Sequence, residues 1–434
     1  VIPKPRPIAV ALPLAPLAAA IAGVWWPEAR AVAIAMCAVL FSAAALDAIP
    51  PYFKRRTACT LAESSGLSLG SDATFSFDLT PRPGARAPAA FSPSQPVGVR
   101  WETPRRSVPH TASRTVMRAA CARRGPSAID EAVFSSVSHF GLFDMVERIG
   151  LDSAFAILPS LDGLARARTR AKRGVAIDIG HRVTRFRGGD GDLESLREYC
   201  VGEDARKIDW KASARTGEPL VRDRDSDSRA RIAFAVDCGR LMTAERDGRS
   251  ALDDALSAML AAADAALRAG DSASACAFAD RIVDRTPELS SRWAMSKLAR
   301  FSSAALACDK EADFYALSAY LRKSLNKRSL VVVVTEAADT MPLRALERFA
   351  ATIAAKHALI IAFLRDDELE RDASRYAPGE VAGFRAAAAA ELLELRDRAI
   401  ARLRRYARVL LSTPHELPDA VIEAYLEAKA RNLA

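Results

Sequence analysis

The chain opens on two apolar runs, residues 8–26 and 31–49, in which no charge appears until Asp47 apart from the short polar turn around Pro27, Glu28 and Arg30. Each run approaches the ~20 residues that a helix needs to cross a bilayer. Trp25 and Trp26 end the first run, and Tyr52 and Phe53 follow the second, where amphipathic rings favour an interface. The pattern predicts a two-helix transmembrane hairpin over residues 1–56. Pro13 and Pro16 are tolerated in lipid if neighbouring groups satisfy the freed carbonyls. Lys4 and Arg6 precede the hairpin and Lys54, Arg55 and Arg56 follow it, so the positive-inside rule puts both ends in the cytoplasm. A cleaved leader is the alternative, and the second run and the lack of a small-residue cleavage site speak against it.

Over residues 57–165 the pattern changes to short alternating stretches bounded by Pro and Gly, such as ATFSFDLTP and PVGVRWETP. Alternation of this kind marks half-buried strands and predicts a small β-sandwich. Three further strands follow, with turns at Gly125 and Gly141. A basic segment, LARARTRAKRG, then opens a stretch over residues 166–230 that is dense in both charges.

Residues 231–434 carry continuous apolar runs (RIAFAVDCG, SLVVVVTEAAD, ALIIAFLRD) alternating with helical patterns. Leu252, Leu256, Met259, Leu260, Ala263 and Leu267, for instance, fall on one helix face. Strands apolar on both sides, separated by helices, predict an α/β domain with a parallel sheet covered on both faces.

Composition narrows the chemistry. Half of the 434 residues are apolar, enough for a large core in two or three domains, and the net charge is +9. Basic residues alternate with acids after Gly188, which suits a solvated, salt-bridged surface better than a nucleic-acid patch. The seven cysteines are scattered without a C-x-x-C pair, as expected of free thiols in a reducing compartment. None of the five histidines sits in an H-E-x-x-H or G-x-S-x-G context, and no phosphate-binding G-x-x-x-x-G-K-[ST] motif occurs. DGDLES and DRDSDS lack the glycine and glutamate of a calcium loop.

The stretch LREYCVGEDARKIDWKASART supplies Leu196, Arg197, Tyr199, Gly202, Asp204, Arg206, Ile208, Asp209, Trp210, Lys211, Ala214, Arg215 and Thr216. It resembles the signature of a bacterial family known as domain of unknown function 58. Arg123, Arg124 and Gly125 resemble a second turn of that family. Phe140, Gly141, Leu142 and Phe143 resemble a third, with Ser138 and His139 where the family has Asp and Pro. The likeness covers about residues 110–430 and is densest over 188–240.

The resemblance implies a von Willebrand factor A-like domain and a membrane-anchored, non-catalytic adaptor. It also implies a MoxR-type AAA+ ATPase as partner in assembling or maturing other complexes, at the bacterial inner membrane. It makes Arg197, Tyr199, Gly202, Asp204, Arg206, Asp209, Trp210 and Arg215 the candidate interaction residues. The expectation for this segment is a junction, with Trp210 and Ile208 packed inward. Such domains often hold Mg²⁺ on an Asp-x-Ser-x-Ser loop. Here Asp237 is followed by Gly239 and Leu241 at the serine positions, leaving Asp237, Thr335 and Glu336, with Asp339 further on, as a degenerate metal set. Alternatives are metal-dependent ligand binding, an enzyme using Asp204 and Asp209 as acid and base, and nucleic-acid binding through the basic residues 166–173.

Overall fold

The computed structural model describes residues 2–22, 24–48, 58–80, 89–108, 113–138, 140–172, 195–198, 210–223, 229–246, 248–291, 293–336, 340–365, 367–374 and 380–431. It falls into two compact units, Val1–Ser160 and Leu161–Ala434.

In the first unit a short strand, β1 (Ile2–Pro5), leads into α1 (Pro7–Ala11), α2 (Leu14–Ala22) and α3 (Pro27–Ala48). Pro13 separates α1 from α2, because a proline inside a helix removes a backbone donor and clashes with the preceding turn. α2 packs on α3, yet Ile21, Ile34, Val39 and Phe41 remain between 57% and 78% exposed. Among the described residues one helix is long and apolar enough to cross a membrane, the 20-residue stretch Glu28–Asp47 of α3, in which only Ala33 and Asp47 are buried. The other apolar helical run, Pro7–Ala22, is shorter.

The rest of this unit is antiparallel. β2 (Ala58–Ser65), β3 (Asp72–Thr80), β4 (Ala89–Pro93), β5 (Val99–Trp101), β6 (Arg106–Val108), β7 (Ser113–Cys121), β8 (Gly125–Val137) and β9 (Phe143–Ile157) follow in order. They form two sheets, β2-β3-β7-β5 and β1-β9-β8-β4-β6. Alternation turns Ala73, Phe75, Phe77 and Leu79 of β3 inward. Phe77 of one sheet meets Phe91 of the other edge-on, with ring centroids 5.0 Å apart, and Phe91 meets Phe134 at 5.1 Å. Burying each such ring contributes about 1.5–3 kcal/mol, so this aromatic contact joins the sheets.

The second unit begins with α4 (Asp162–Lys172), followed by β10 (Ser195–Glu198), α5 (Trp210–Thr216) and β11 (Leu220–Asp223). The central sheet starts at β12 (Arg231–Asp237). A small hairpin, β13 (Glu245–Arg246) and β14 (Arg249–Ser250), leads to α6 (Ala251–Arg268). Then come β15 (Ser272–Phe278), β16 (Ile282–Arg285), α7 (Ala294–Ala304), α8 (Phe314–Ser324), β17 (Leu330–Glu336), α9 (Thr340–Ala354) and β18 (Ala358–Leu364). α10 (Asp367–Ser374), α11 (Glu380–Leu403), β19 (Arg408–Ser412) and α12 (Leu417–Ala430) complete the unit.

Its six-stranded sheet has the order β16-β15-β12-β17-β18-β19. All neighbours are parallel except the edge strand β16, which runs antiparallel to β15. Counted along the chain, that is 3-2-1-4-5-6, the doubly wound order. Phe234, Val332, Leu256, Met259 and Tyr425 share the core on one face. Val331, Val333, Phe314, Phe349 and Leu403 share it on the other. α6 starts on a capping box in which Ser250 accepts from the Asp253 N–H and Asp253 accepts from the Ser250 N–H, which satisfies donors left open at a helix start.

Two features depart from the sequence reading. β16 and α7 stand where no element was expected, since IVDR is too short and polar to announce an edge strand. The basic segment after residue 161 is in part the helix α4, and Leu164 is buried in the core of the second unit. The Arg168 guanidinium donates to Asp264 of α6 at 3.0 and 2.7 Å, and Arg166 donates to the His415 carbonyl at 3.0 Å. These two arginines therefore hold α4 on its own unit.

Candidate functional site

In a doubly wound sheet the connections leave the two central strands in opposite directions, which opens a crevice at their carboxyl ends. Here those strands are β12 and β17, and they end on Asp237 and on Thr335 and Glu336. Asp237 is 3% exposed and Thr335 2%. The Thr335 hydroxyl donates to Asp237 Oδ2 at 2.6 Å, and the Gly239 N–H donates to Oδ1 at 2.7 Å. Burial pushes the Asp237 carboxyl above the usual carboxylate range, and the bonds from Thr335 and Gly239 pull it back only in part. Glu336 accepts a hydrogen bond from the Arg246 guanidinium of β13. Phe314, Leu343, Leu346 and Phe363 give the small cavity above Asp237 an apolar wall. At its mouth Arg240 pairs with Glu311 at 2.9 Å, with side chains 49% and 61% exposed, an ion pair worth about 0–1 kcal/mol in solvent.

The structure thus places Asp237 beside Thr335, whereas Glu336 points its charge into an arginine. These residues do not fit a Mg²⁺ ion, which needs six oxygens in near-octahedral array. Both Asp237 oxygens accept hydrogen bonds within the protein. At the first serine position, a Cβ on Gly239 would lie 2.8 Å from the Lys310 carbonyl oxygen and 3.0 Å from Asp237 Oδ1. The backbone of residues 308–312 runs over the loop, with the Arg240 N–H donating to Lys310 O at 2.7 Å and the Cys308 N–H to Cys238 O at 2.8 Å. The space a serine hydroxyl would use is filled by main chain. Among the described residues no group of three or more His, Cys, Asp or Glu side chains is placed to hold a metal. Asp339 lies outside the described residues.

Of the signature residues, Tyr199, Gly202, Asp204, Arg206, Ile208 and Asp209 lie outside the described residues. Arg197 sits in β10, opposite Val221 of β11 in an antiparallel pair. Arg215 is exposed in the last turn of α5. Trp210 opens α5 and is 69% exposed, so the expectation that it packs inward is corrected. α5 is seven residues long and contacts the β10–β11 ribbon through β11, which gives a large ring little apolar surface to cover it. The six described cysteines, Cys37, Cys59, Cys121, Cys238, Cys276 and Cys308, are all free, and burial pushes the Cys59 and Cys276 thiols up to about 12.

Sequence reasoning missed a second buried cluster. Asp271, 2% exposed, accepts from Tyr425 Oη at 2.6 Å, from Lys429 Nζ at 2.8 Å and from the Ala230 N–H at 3.0 Å. Tyr425 and Lys429 are one helical turn apart, a spacing that puts both on one face of α12.

The strand order and the crevice define a doubly wound α/β domain whose central carboxylate is enclosed by its own strands and loops. Residues 195–404 match the model of the family described as "Protein of unknown function DUF58". No curated protein matches the chain. Solved structures similar to it include a von Willebrand factor type A protein from Catenulispora acidiphila, with 15% identity over 48% of this chain and 44% of that one and a TM-score of 0.31. The conserved hypothetical protein BatB from Bacteroides thetaiotaomicron is 14% identical, covering 46% of this chain and 99% of that one, with a TM-score of 0.33. An aerotolerance-related membrane protein from Bacteroides fragilis is 13% identical, with coverages of 46% and 99% and a TM-score of 0.29. The chain therefore spans less than half of the first of these relatives.

Proposed function

We propose that the chain is a membrane-anchored, non-catalytic interaction protein. The observation that carries this reading is the pairing of an apolar, lipid-length and largely exposed α3 with a switch-point carboxylate whose oxygens accept from Thr335 and Gly239. A bilayer accounts for the exposed Ile34, Val39 and Phe41, which water would penalise. A carboxylate so engaged serves structure more readily than proton transfer.

In the finer form of the proposal, the apolar run 8–26, which holds α1 and α2, and the run of α3 cross the inner membrane as a hairpin, and both ends lie in the cytoplasm. The two antiparallel sheets act as a small sandwich, and the α/β unit adopts the von Willebrand A architecture. The proposed partner is a MoxR-type AAA+ ATPase, which supplies energy to assemble or mature a client complex.

Two measurements test it. The full chain, expressed in bacteria, should stay in the membrane fraction through carbonate extraction. In detergent it should co-purify with an ATPase of that type encoded beside it, in an ATP-dependent manner. Release by carbonate would refute the anchor, and failure to co-purify with or without nucleotide would refute the partnership.

A further inference from the structure

The first unit grips both ends of its apolar helices with a single turn, through Ser138 and residues 140–142. On the entry side, β1 pairs antiparallel with the start of β9, from Ile2 opposite Val146 to Pro5 opposite Phe143. The Arg6 N–H then donates to the Leu142 carbonyl at 2.9 Å, and α1 begins one residue later. On the exit side, Asp47 in the last turn of α3 is 1% exposed. It accepts from Ser138 Oγ at 2.5 Å, from the Phe140 N–H at 2.7 Å and from the Leu142 N–H at 3.1 Å. Ser138 Oγ itself accepts from the Phe143 N–H at 2.9 Å. Gly141, with φ of +78°, lets the turn reverse so that N–H groups two residues apart converge on one carboxylate.

A carboxylate is a poor choice for that position on helix grounds. The C-terminal end of a helix carries partial negative charge, so an acid there is disfavoured by about 0.3–1 kcal/mol. Burying it away from water costs more unless hydrogen bonds replace the water. The turn supplies those bonds, which explains Asp47 as a docking residue.

We propose that this turn is a membrane-contact surface: Asp47 holds it against the end of α3, and Phe140 enters the headgroup layer of the bilayer that α3 spans. The proposal rests on the membrane-anchor reading. The 20 residues Glu28–Asp47 rise about 30 Å as a helix, which equals the hydrocarbon thickness. The Asp47 end, and with it the turn, then lies at one interface. Trp25 and Trp26, 76% and 69% exposed, lie just beyond the other end of that stretch, where aromatic residues concentrate at the opposite interface. Phe140 is 60% exposed, and its N–H bond to Asp47 places its backbone at the end of α3. The lipid surface is thus the partner to which the turn is already joined. β8 leads away from it, and Ser127 near its far end donates to the Val97 carbonyl at 2.8 Å, some ten residues or ~33 Å along the strand from the turn.

The test uses the full chain reconstituted in vesicles of phosphatidylcholine and phosphatidylglycerol, with photoreactive benzoylphenylalanine replacing either Phe140 or, as control, the 69% exposed Val97. The expected result is lipid adducts from position 140 and none from position 97. Asp47→Ala should abolish the adduct at 140 while the chain still resists carbonate extraction. Absence of adducts at 140, or equal adducts at both positions, in a chain that resists carbonate would overturn the docking surface and leave the anchor standing. An undiminished adduct in Asp47→Ala would overturn the role of Asp47. Release of the chain by carbonate would overturn the anchor and this proposal together.

Discussion

Thr335 and Asp237 stand at the ends of adjacent parallel strands, and the threonine hydroxyl donates to the buried carboxylate at 2.6 Å. The bond ties β17 to β12 at the crevice. Thr335→Val keeps the shape and deletes the donor, leaving a buried acceptor short of a partner. Urea denaturation should show a loss of about 1–3 kcal/mol. Thr335→Ser should retain most of the stability, and equal losses in the two variants would contradict this account.

Asp237 also sets a pH dependence. Burial places its folded pKa above the usual 3.8, so the folded state binds more protons than the unfolded chain. Its stabilising contribution is full below the unfolded value and is lost as pH rises through the folded one. Asp237→Asn can still face an amide oxygen to the Gly239 N–H and an amide N–H to Thr335. Its stability relative to the parent should therefore improve as pH is raised from about 4 to about 7. A difference that stays flat across that range would show that Asp237 is not the titrating group.

The Gly239 position should reject the residue that a metal loop would place there. Gly239→Ser puts a Cβ 2.8 Å from the Lys310 carbonyl, and backbone at that distance has to shift. The expected outcome is a loss of about 1–3 kcal/mol and no Mg²⁺-dependent rise in melting temperature. Stabilisation by Mg²⁺ would mean that the 308–312 segment moves aside.

Asp264 has the opposite linkage. Burial pushes it up, but hydrogen bonds from Arg168 and Arg268 outweigh that and hold it below 3.8. Its contribution is present above the unfolded value and lost as pH falls through the folded one. Asp264→Asn should loosen α4 at neutral pH, detected as faster proteolytic cleavage within residues 161–172. The contrast with the parent should shrink under acid, whereas cleavage unchanged at neutral pH would deny Arg168–Asp264 its clamping role.

Tyr425→Phe removes one neutral donor from Asp271 and should lower stability by about 1 kcal/mol. Asp271→Ala leaves the Tyr425 hydroxyl and the Ala230 N–H without their acceptor and takes the counter-charge from Lys429, which keeps the Ala269 carbonyl, and should cost about 2–3 kcal/mol. In the double variant the two losses should fall short of their sum, because both act on one network. Strict additivity would separate the groups energetically.

By itself the sequence determined the features written in local periodicity. The apolar α3, the alternating β3 and β7 and the continuous runs of β12, β17 and β18 each declare their type, because burial on one side, on two sides or in lipid demands a different spacing of apolar residues. The grouping of Asp237 with Thr335 and Glu336 came from the family resemblance rather than from periodicity. What it left open depends on segments that meet only after folding. The closure over Gly239 is made by main chain some seventy residues later. The exposure of Trp210 follows from the little surface that α5 finds to pack on. The grip on Asp47 comes from N–H groups about ninety residues away, and backbone donors carry no side-chain signature by which a sequence could reveal them.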